Sequence, residues 1–331
     1  MTEDKKTLFS GIQPTGNIHI GNYLGALKNW VDLQDKYTAI YSIVDWHALT
    51  IDQDPKEYKQ RVIETAIDLL AIGVDPKKSI LFVQSQVKGH TDLNWIFNTL
   101  TPMSELERMT QYKDKSKQNK NNINVGLFDY PVLQAADILI YKAEVVPIGE
   151  DQVQHIELAN TILRKFNNKY GLFFSPVKPL LTKGARIMSL TKPEKKMSKS
   201  LGESNYIALR DDPETIKAKV AKAVTDTGPA QADKKSLGVH NLFELLHLFK
   251  DSETVERYEK QYDSGTIKYS EMKEELAEAI IETLKPIQER IKKLEKKPKK
   301  VEAILARGAK KAQAIADKNI AEIRNIVGLL K

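Results

Sequence analysis

The sequence contains no cysteine. Disulfide bridges, a thiolate zinc site and a cysteine-held iron–sulfur cluster are therefore excluded, and a reducing compartment is the fitting one. Histidine is scarce: six residues, with no pair at metal-ligand spacing that has carboxylate support, so no protein-held metal is expected. No apolar run approaches the roughly 18 residues of a membrane span. The opening Met1-Thr2-Glu3-Asp4-Lys5-Lys6 is charged and lacks the apolar core of a secretory signal. These absences predict a cytoplasmic chain with no membrane partner. No Ser/His/Asp triad suggests itself either.

What is present is length and localised charge. A chain of 331 residues can hold one large α/β domain plus a smaller one. The net charge of +7 is concentrated: residues 285–311 carry eleven Lys or Arg against three Glu. Such a run is either a solvated helix face or a surface that draws in a polyanion such as RNA by counterion release. Composition leaves both open.

Hydrophobic patterning predicts short strands at 8–12, 39–44, 79–83 and 145–148, and helices at 21–36, 56–72, 130–141 and from about 150 onward. Alternation of this kind implies α/β architecture with a doubly wound parallel sheet, a Rossmann-like domain. Its ligands bind beyond the carboxyl ends of the strands. The polar, Asn-rich stretch 113–124 reads as a surface loop, and Trp30, Trp46 and Trp95 read as packing residues. From 212 to 330 only helical periodicity is found, punctuated at Gly228-Pro229, Pro286, Pro298 and Gly308. The expected division is thus a catalytic domain over 1–207, including a loop at 192–202, followed by an all-helical domain over 208–331.

Two motifs carry chemistry. His19-Ile20-Gly21-Asn22 follows the first strand and opens a helix, where free backbone N–H groups can meet a phosphate. Lys196-Met197-Ser198-Lys199-Ser200 sets two ammonium groups three residues apart on a polar loop, able to neutralise a triphosphate at two points. A third pattern lies in the apolar helix at 130–141. Tyr130, Gln134 and Asp137 are spaced i, i+4, i+7 on one face, and a buried carboxylate there needs a partner.

The paired motifs resemble the H-x-G-H and K-M-S-K-S signatures of class I aminoacyl-tRNA synthetases. Other blocks are similar to the bacterial members of the tryptophanyl/tyrosyl branch: Phe9 to Gly16, Val44-Asp45-Trp46-His47-Ala48, Glu105 to Gln111, Gly149-Glu150-Asp151-Gln152 and Glu282 to Arg290. The resemblance implies ATP-dependent tryptophan–tRNA ligase activity, with ATP bound as its Mg²⁺ complex. It implies L-tryptophan and tRNA(Trp) as partners, a homodimer, and anticodon binding by the helical domain.

Site roles follow from the same resemblance. Gln13, His19, Gly21, Asn22, Gly149, Glu150, Asp151 and the five residues Lys196, Met197, Ser198, Lys199 and Ser200 would hold ATP. Lys115, Lys196, Lys199 and Gln13 would act in catalysis. Phe9, Gln13, His47, Tyr130, Gln134, Asp137, Val146, Ile148 and Gln152 would form the amino-acid pocket, Asp137 accepting from the indole N–H. Asn22 stands where the family's second His is usual. Gln134 stands where tryptophan enzymes usually have Met and tyrosyl enzymes Gln; Phe9, in place of a Tyr near that strand, favours tryptophan. A nucleotidylyltransferase of a small metabolite and a catalytically inactive RNA-binding paralogue are the competing readings.

Overall fold

A computed structural model of the protein describes residues 5–118, 122–181, 186–225 and 235–330. Among the described residues five strands are found: β1 (Thr7–Ile12), β2 (Thr38–Ile43), β3 (Ile80–Val83), β4 (Val145–Ile148) and β5 (Lys178–Leu181). The helices run α1 (Ile20–Asn22), α2 (Lys28–Leu33), α3 (Asp45–Ala48), α4 (Pro55–Ile72), α5 (Gly89–Asn98), α6 (Met103–Glu107) and α7 (Thr110–Gln118). They continue with α8 (Val125–Leu139), α9 (Val153–Tyr170), α10 (Pro213–Ala221), α11 (Leu237–Phe249), α12 (Ser252–Asp263), α13 (Tyr269–Glu295) and α14 (Pro298–Val327). A π-helical turn, Tyr23–Leu27, joins α1 to α2. No helix among the described residues is long and apolar enough to cross a membrane.

The chain divides into two compact units. The first comprises Met1–Gly16, Asn29–Thr182 and Lys297–Lys331; the second comprises Asn17–Lys28 and Lys183–Lys296. This division does not coincide with a boundary at 207/208. The nucleotide-motif segments group with the helices of the second unit, and the last helix groups with the sheet.

In the first unit the strands pair in parallel in the order β3-β2-β1-β4-β5. The chain winds outward from β1 through β2 to β3, then restarts on the other side of β1. The switch point therefore lies between β1 and β4, where doubly wound sheets open a crevice at their carboxyl ends. Strand β2 is buried at every position except Thr38, as expected of a strand covered on both faces. The edge strand β5 has no sequence signal of comparable strength, since Lys178-Pro179-Leu180-Leu181 is mostly exposed.

Helix α14 follows from the spacing Val301, Ile304, Leu305, Gly308, Ala312, Ala316, Ile320 and Ile323, all buried on one face. Gly308 is no helix breaker here. A Cβ at that position would come 1.8 Å from the carbonyl oxygen of Leu81, so only glycine lets the helix lie against the backbone of β3. Asn319 donates to the Ile140 carbonyl at 2.7 Å. The helix thereby packs along an edge strand that would otherwise invite pairing.

The second unit is helical. Asp212 caps α10 with Pro213 at its first position, Asp251 caps α12, and α13 runs 27 residues through Pro286. Ile216, Val220, Leu242, Leu246, Leu276, Ile280 and Leu284 form its interior. The stretch predicted as a loop at 113–124 begins instead as helix α7 up to Gln118, while Asn124 caps α8 by accepting from Leu127 N–H at 2.9 Å. Residues 119–121 and the turn Gly228-Pro229 lie outside the described residues. Trp30 is a packing residue, stacked on Tyr41 at 4.5 Å, but Trp95 is 73% exposed and Trp46 41%.

Candidate active site

The switch point places sequence-predicted residues together at the sheet's carboxyl edge. Gln13 directly follows β1, and Gly149, Glu150, Asp151 and Gln152 directly follow β4. Glu150–Gln152 forms a single 3₁₀ turn leading into α9, and Gln152 donates to Asp151 Oδ2 at 3.0 Å. Glu150 and Asp151 remain exposed. Phe9, Val146 and Ile148 are buried on β1 and β4.

Helix α8 supplies the polar face that its spacing predicts. Tyr130 is buried and hydrogen-bonds His155 Nε2 at 3.1 Å, while Gln134 is half-buried. Asp137 is 1% exposed. Its Oδ2 accepts from His47 Nε2 at 2.7 Å, and its Oδ1 accepts from Gln84 Nε2 at 2.6 Å and His90 Nδ1 at 2.7 Å. Burial pushes its pKa up, but the charge and hydrogen bonds of His47 and His90 outweigh that and hold the carboxyl well below the ordinary carboxylate range. It is an anion at neutral pH. His47 also lies edge-on to Tyr130, ring centroids 6.2 Å apart.

A carboxylate offers about four acceptor positions. Among the described residues three are used by protein donors, two on Oδ1 and one on Oδ2. Sequence reasoning supplied His47 and Asp137 but missed Gln84, His90 and Tyr141, whose hydroxyl lies 2.8 Å from His90 Nε2. A buried Asp announces that donors must exist; nothing in the spacing of 84, 90 and 137 says which they are.

In the second unit the two distant lysine and histidine motifs meet. His19 caps α1: its Nδ1 accepts from Asn22 N–H at 3.2 Å, and the Asn22 side chain accepts from His19 N–H at 3.2 Å. Around it, Ile20 N–H donates to the Ile207 carbonyl at 2.9 Å and Leu209 N–H to the Ile18 carbonyl at 2.8 Å. A Cβ on Gly21 would lie 3.0 Å from the His19 ring and 3.5 Å from Met197 Cβ. The lysine loop is thus held beside the turn through buried Met197, leaving Lys196 exposed and Lys199 half-exposed.

Burial, then the ammonium groups of Lys199 and Lys196, lower His19 to about 4. The ring is neutral at physiological pH. Because Nδ1 is an acceptor, the proton sits on Nε2, an assignment made from the bonding pattern. The arrangement presents a neutral donor and two cations, chemistry suited to phosphate oxygens.

Asn205 closes the lysine loop from behind. It is 3% exposed, accepts from Ser189 Oγ at 2.7 Å and Thr191 Oγ1 at 2.5 Å, and donates to the Leu201 carbonyl at 2.5 Å. Ser198 Oγ and Ser200 Oγ are 2.9 Å apart. Sequence reading had not singled out Asn205. The predicted nucleotide set is accordingly divided between units, with Gln13 and Gly149–Asp151 in the first and His19, Gly21, Asn22 and Lys196–Ser200 in the second. The Lys115 side chain lies outside the described residues.

Residues 1–285 match the family described as tRNA synthetases class I (W and Y). The chain belongs to that family. Among its relatives, a tryptophan–tRNA ligase of Wolinella succinogenes is 48% identical over 98% of this chain and 99% of its own length. One from Helicobacter pylori is 46% identical over the same shares. A tryptophanyl-tRNA synthetase of Campylobacter jejuni, solved as a complex with ADP and tryptophan, superposes with a TM-score of 0.86 at 36% identity, covering 98% of this chain and all of that one. The parallel sheet with its helical C-terminal region is the fold of this class I family.

Proposed function

We propose that this class I synthetase is a tryptophan–tRNA ligase, and the observation that carries the reading is the buried, ionised Asp137 on α8, with Phe9 rather than a phenol on β1. An anion that accepts only is complementary to an indole N–H, which donates only. In the first step the tryptophan carboxylate attacks the α-phosphorus of ATP, taken as its Mg²⁺ complex. The bond to the bridging oxygen breaks, pyrophosphate leaves, and tryptophanyl-adenylate remains. Lys196 and Lys199 stabilise the charge growing on the leaving pyrophosphate, and His19 Nε2–H donates to a phosphate oxygen. Gln13 and Gly149–Asp151 hold the nucleotide, Asp151 pairing with ribose hydroxyls.

In the second step the 2′-hydroxyl of the terminal adenosine of tRNA(Trp) takes the acyl group and AMP leaves. The side chains position and polarise, and no covalent enzyme intermediate forms. Tyr130, Gln134 and Gln152 hold the α-amino and carboxylate groups, with Val146, Ile148 and His47 lining the ring. The helical stretch from 208 onward reads the anticodon by stacking and hydrogen bonds to splayed bases. A cytoplasmic homodimer is the assembly that goes with this reading.

The test is pyrophosphate exchange into ATP with tryptophan and tyrosine side by side. Tryptophan-dependent exchange is expected. Exchange driven by tyrosine alone, or none with either amino acid, would refute the proposal.

A further inference from the structure

The donor set around Asp137 is asymmetric in a way that burial alone does not demand. Oδ1 accepts two hydrogen bonds, from Gln84 and His90, whereas Oδ2 accepts one, from His47. Each Oδ1 donor is itself fixed from behind. Gln84 Oε1 accepts from Trp46 N–H at 3.2 Å, so its amide nitrogen is the end that faces Asp137. Asp45 Oδ1 in turn pins Trp46 N–H at 3.1 Å and Ser85 N–H at 2.9 Å. His90 Nδ1 faces an acceptor-only carboxylate and must carry a proton, and Nε2 is hydrogen-bonded to the Tyr141 hydroxyl. Tyr141 is immobilised by stacking on Phe9 at 5.7 Å and by an edge contact with Phe82.

Among the described residues, Gln84 and His90 thus fill the two acceptor positions of Oδ1, and the acceptor position left on the carboxylate is on Oδ2. We propose that Gln84 and the Tyr141–His90 relay are positioning residues for amino-acid selection: they fix the carboxylate plane and tautomers so that the remaining lone pair of Oδ2 points to a substrate N–H. The proposal rests on the tryptophan reading above and extends it to three residues that never touch the substrate. A carboxylate free to rotate would average its acceptor direction and lose discrimination between a ring with a donor and the same ring without one.

The experiment compares tryptophan with β-(3-benzothienyl)alanine, whose ring has sulfur where indole has N–H, as substrates for pyrophosphate exchange. In His90→Leu the tryptophan-to-analogue ratio of kcat/KM is expected to fall roughly tenfold, through the KM for tryptophan, with kcat and the KM for ATP unchanged. His90→Asn keeps a donor at the Nδ1 position and should restore most of the ratio. Tyr141→Phe deletes one hydroxyl, and should lower the ratio a few-fold in the same direction; it decides the matter if His90→Leu does not fold. A general loss of packing would reduce activity with both substrates alike. A wild-type ratio in Tyr141→Phe together with His90→Leu, or no rescue by His90→Asn, overturns the positioning role. Wild-type protein lacking tryptophan-dependent exchange would instead overturn the functional reading itself.

Discussion

Asp137→Asn is the most informative single substitution, because it removes one charge and one acceptor while keeping the shape. An Asn has one acceptor oxygen with two lone pairs, and one NH₂ group. If the oxygen replaces Oδ1, the bonds from Gln84 and His90 survive as neutral ones, and the NH₂ faces His47. The reverse orientation sets NH₂ against two donors and is worse. Bonds to a charged partner are worth about 1.5–3 kcal/mol against about 1 for neutral pairs, and a mismatched buried pair costs about 1–3, so two weakened bonds and one mismatched one cost about 2–7 kcal/mol. Typical domains hold about 5–15 kcal/mol, so the variant should fold with a lowered urea midpoint. The functional loss is separate. The NH₂ now standing at the Oδ2 position opposes the indole N–H, an unmatched pair costing about 1–3 kcal/mol, or roughly 5- to 150-fold. Phenylalanine has no ring donor and loses nothing by the change. The tryptophan-to-phenylalanine ratio of kcat/KM in pyrophosphate exchange should therefore drop by about fivefold or more. A ratio unchanged within about twofold, in protein shown to be folded by circular dichroism, would mean that Asp137 does not read the ring.

Gly308→Ala should destabilise the first unit by more than about 3 kcal/mol in urea unfolding, because the added methyl would stand 1.8 Å from the Leu81 carbonyl and α14 must lift off β3. Lys199→Gln should raise the pKa of His19 from about 4 toward its ordinary 6.5, read from the histidine ring proton shifts by NMR, since Lys199 is the largest electrostatic cause of the depression. The same pKa sets a pH dependence. His19 resists protonation in the folded state and not in the unfolded one, so its contribution is complete above 6.5 and is lost as pH falls toward 4. Between about pH 7 and pH 5 this costs about 2 kcal/mol, and the loss should be absent from the urea midpoints of His19→Asn.

The sheet was readable because its strands are short runs buried on both faces, and burial on both faces writes an uninterrupted apolar signal. Strand β5 escaped because an exposed edge strand containing proline needs no such run. The grouping of α14 with the sheet escaped for a different reason. Its amphipathic stripe announces that one face is buried, and cannot announce against what. Gly308 looked like punctuation, although its meaning is a backbone approach visible only in three dimensions. Residues 113–118 show the converse error: Lys, Asp, Ser and Gln are polar enough to suggest a loop, yet solvated helices have that composition too.

The same distinction separates the found from the missed parts of the site. Gln13, Asp45, Gln84 and Gly149 occupy equivalent places, each a polar or glycine residue within two positions of the carboxyl end of β1, β2, β3 and β4 respectively. Gln13, Asp45 and Gly149 lie in blocks that resembled a family, and Gln13 and Gly149 were named as site residues; the end of β3 had no such block, and Gln84 was passed over. The topology alone would have flagged it. In a parallel sheet covered on both faces, a buried amide at a strand's carboxyl end has no solvent to satisfy it, so it must bond a ligand or another site residue. Gln84, fully buried and bonded to both Asp137 and Trp46 N–H, does the latter. Strand-end polar residues are therefore site candidates on physical grounds, and in this chain that rule leads from β3 to Asp137, though not to His90, which depends on how the loop after Gln84 turns.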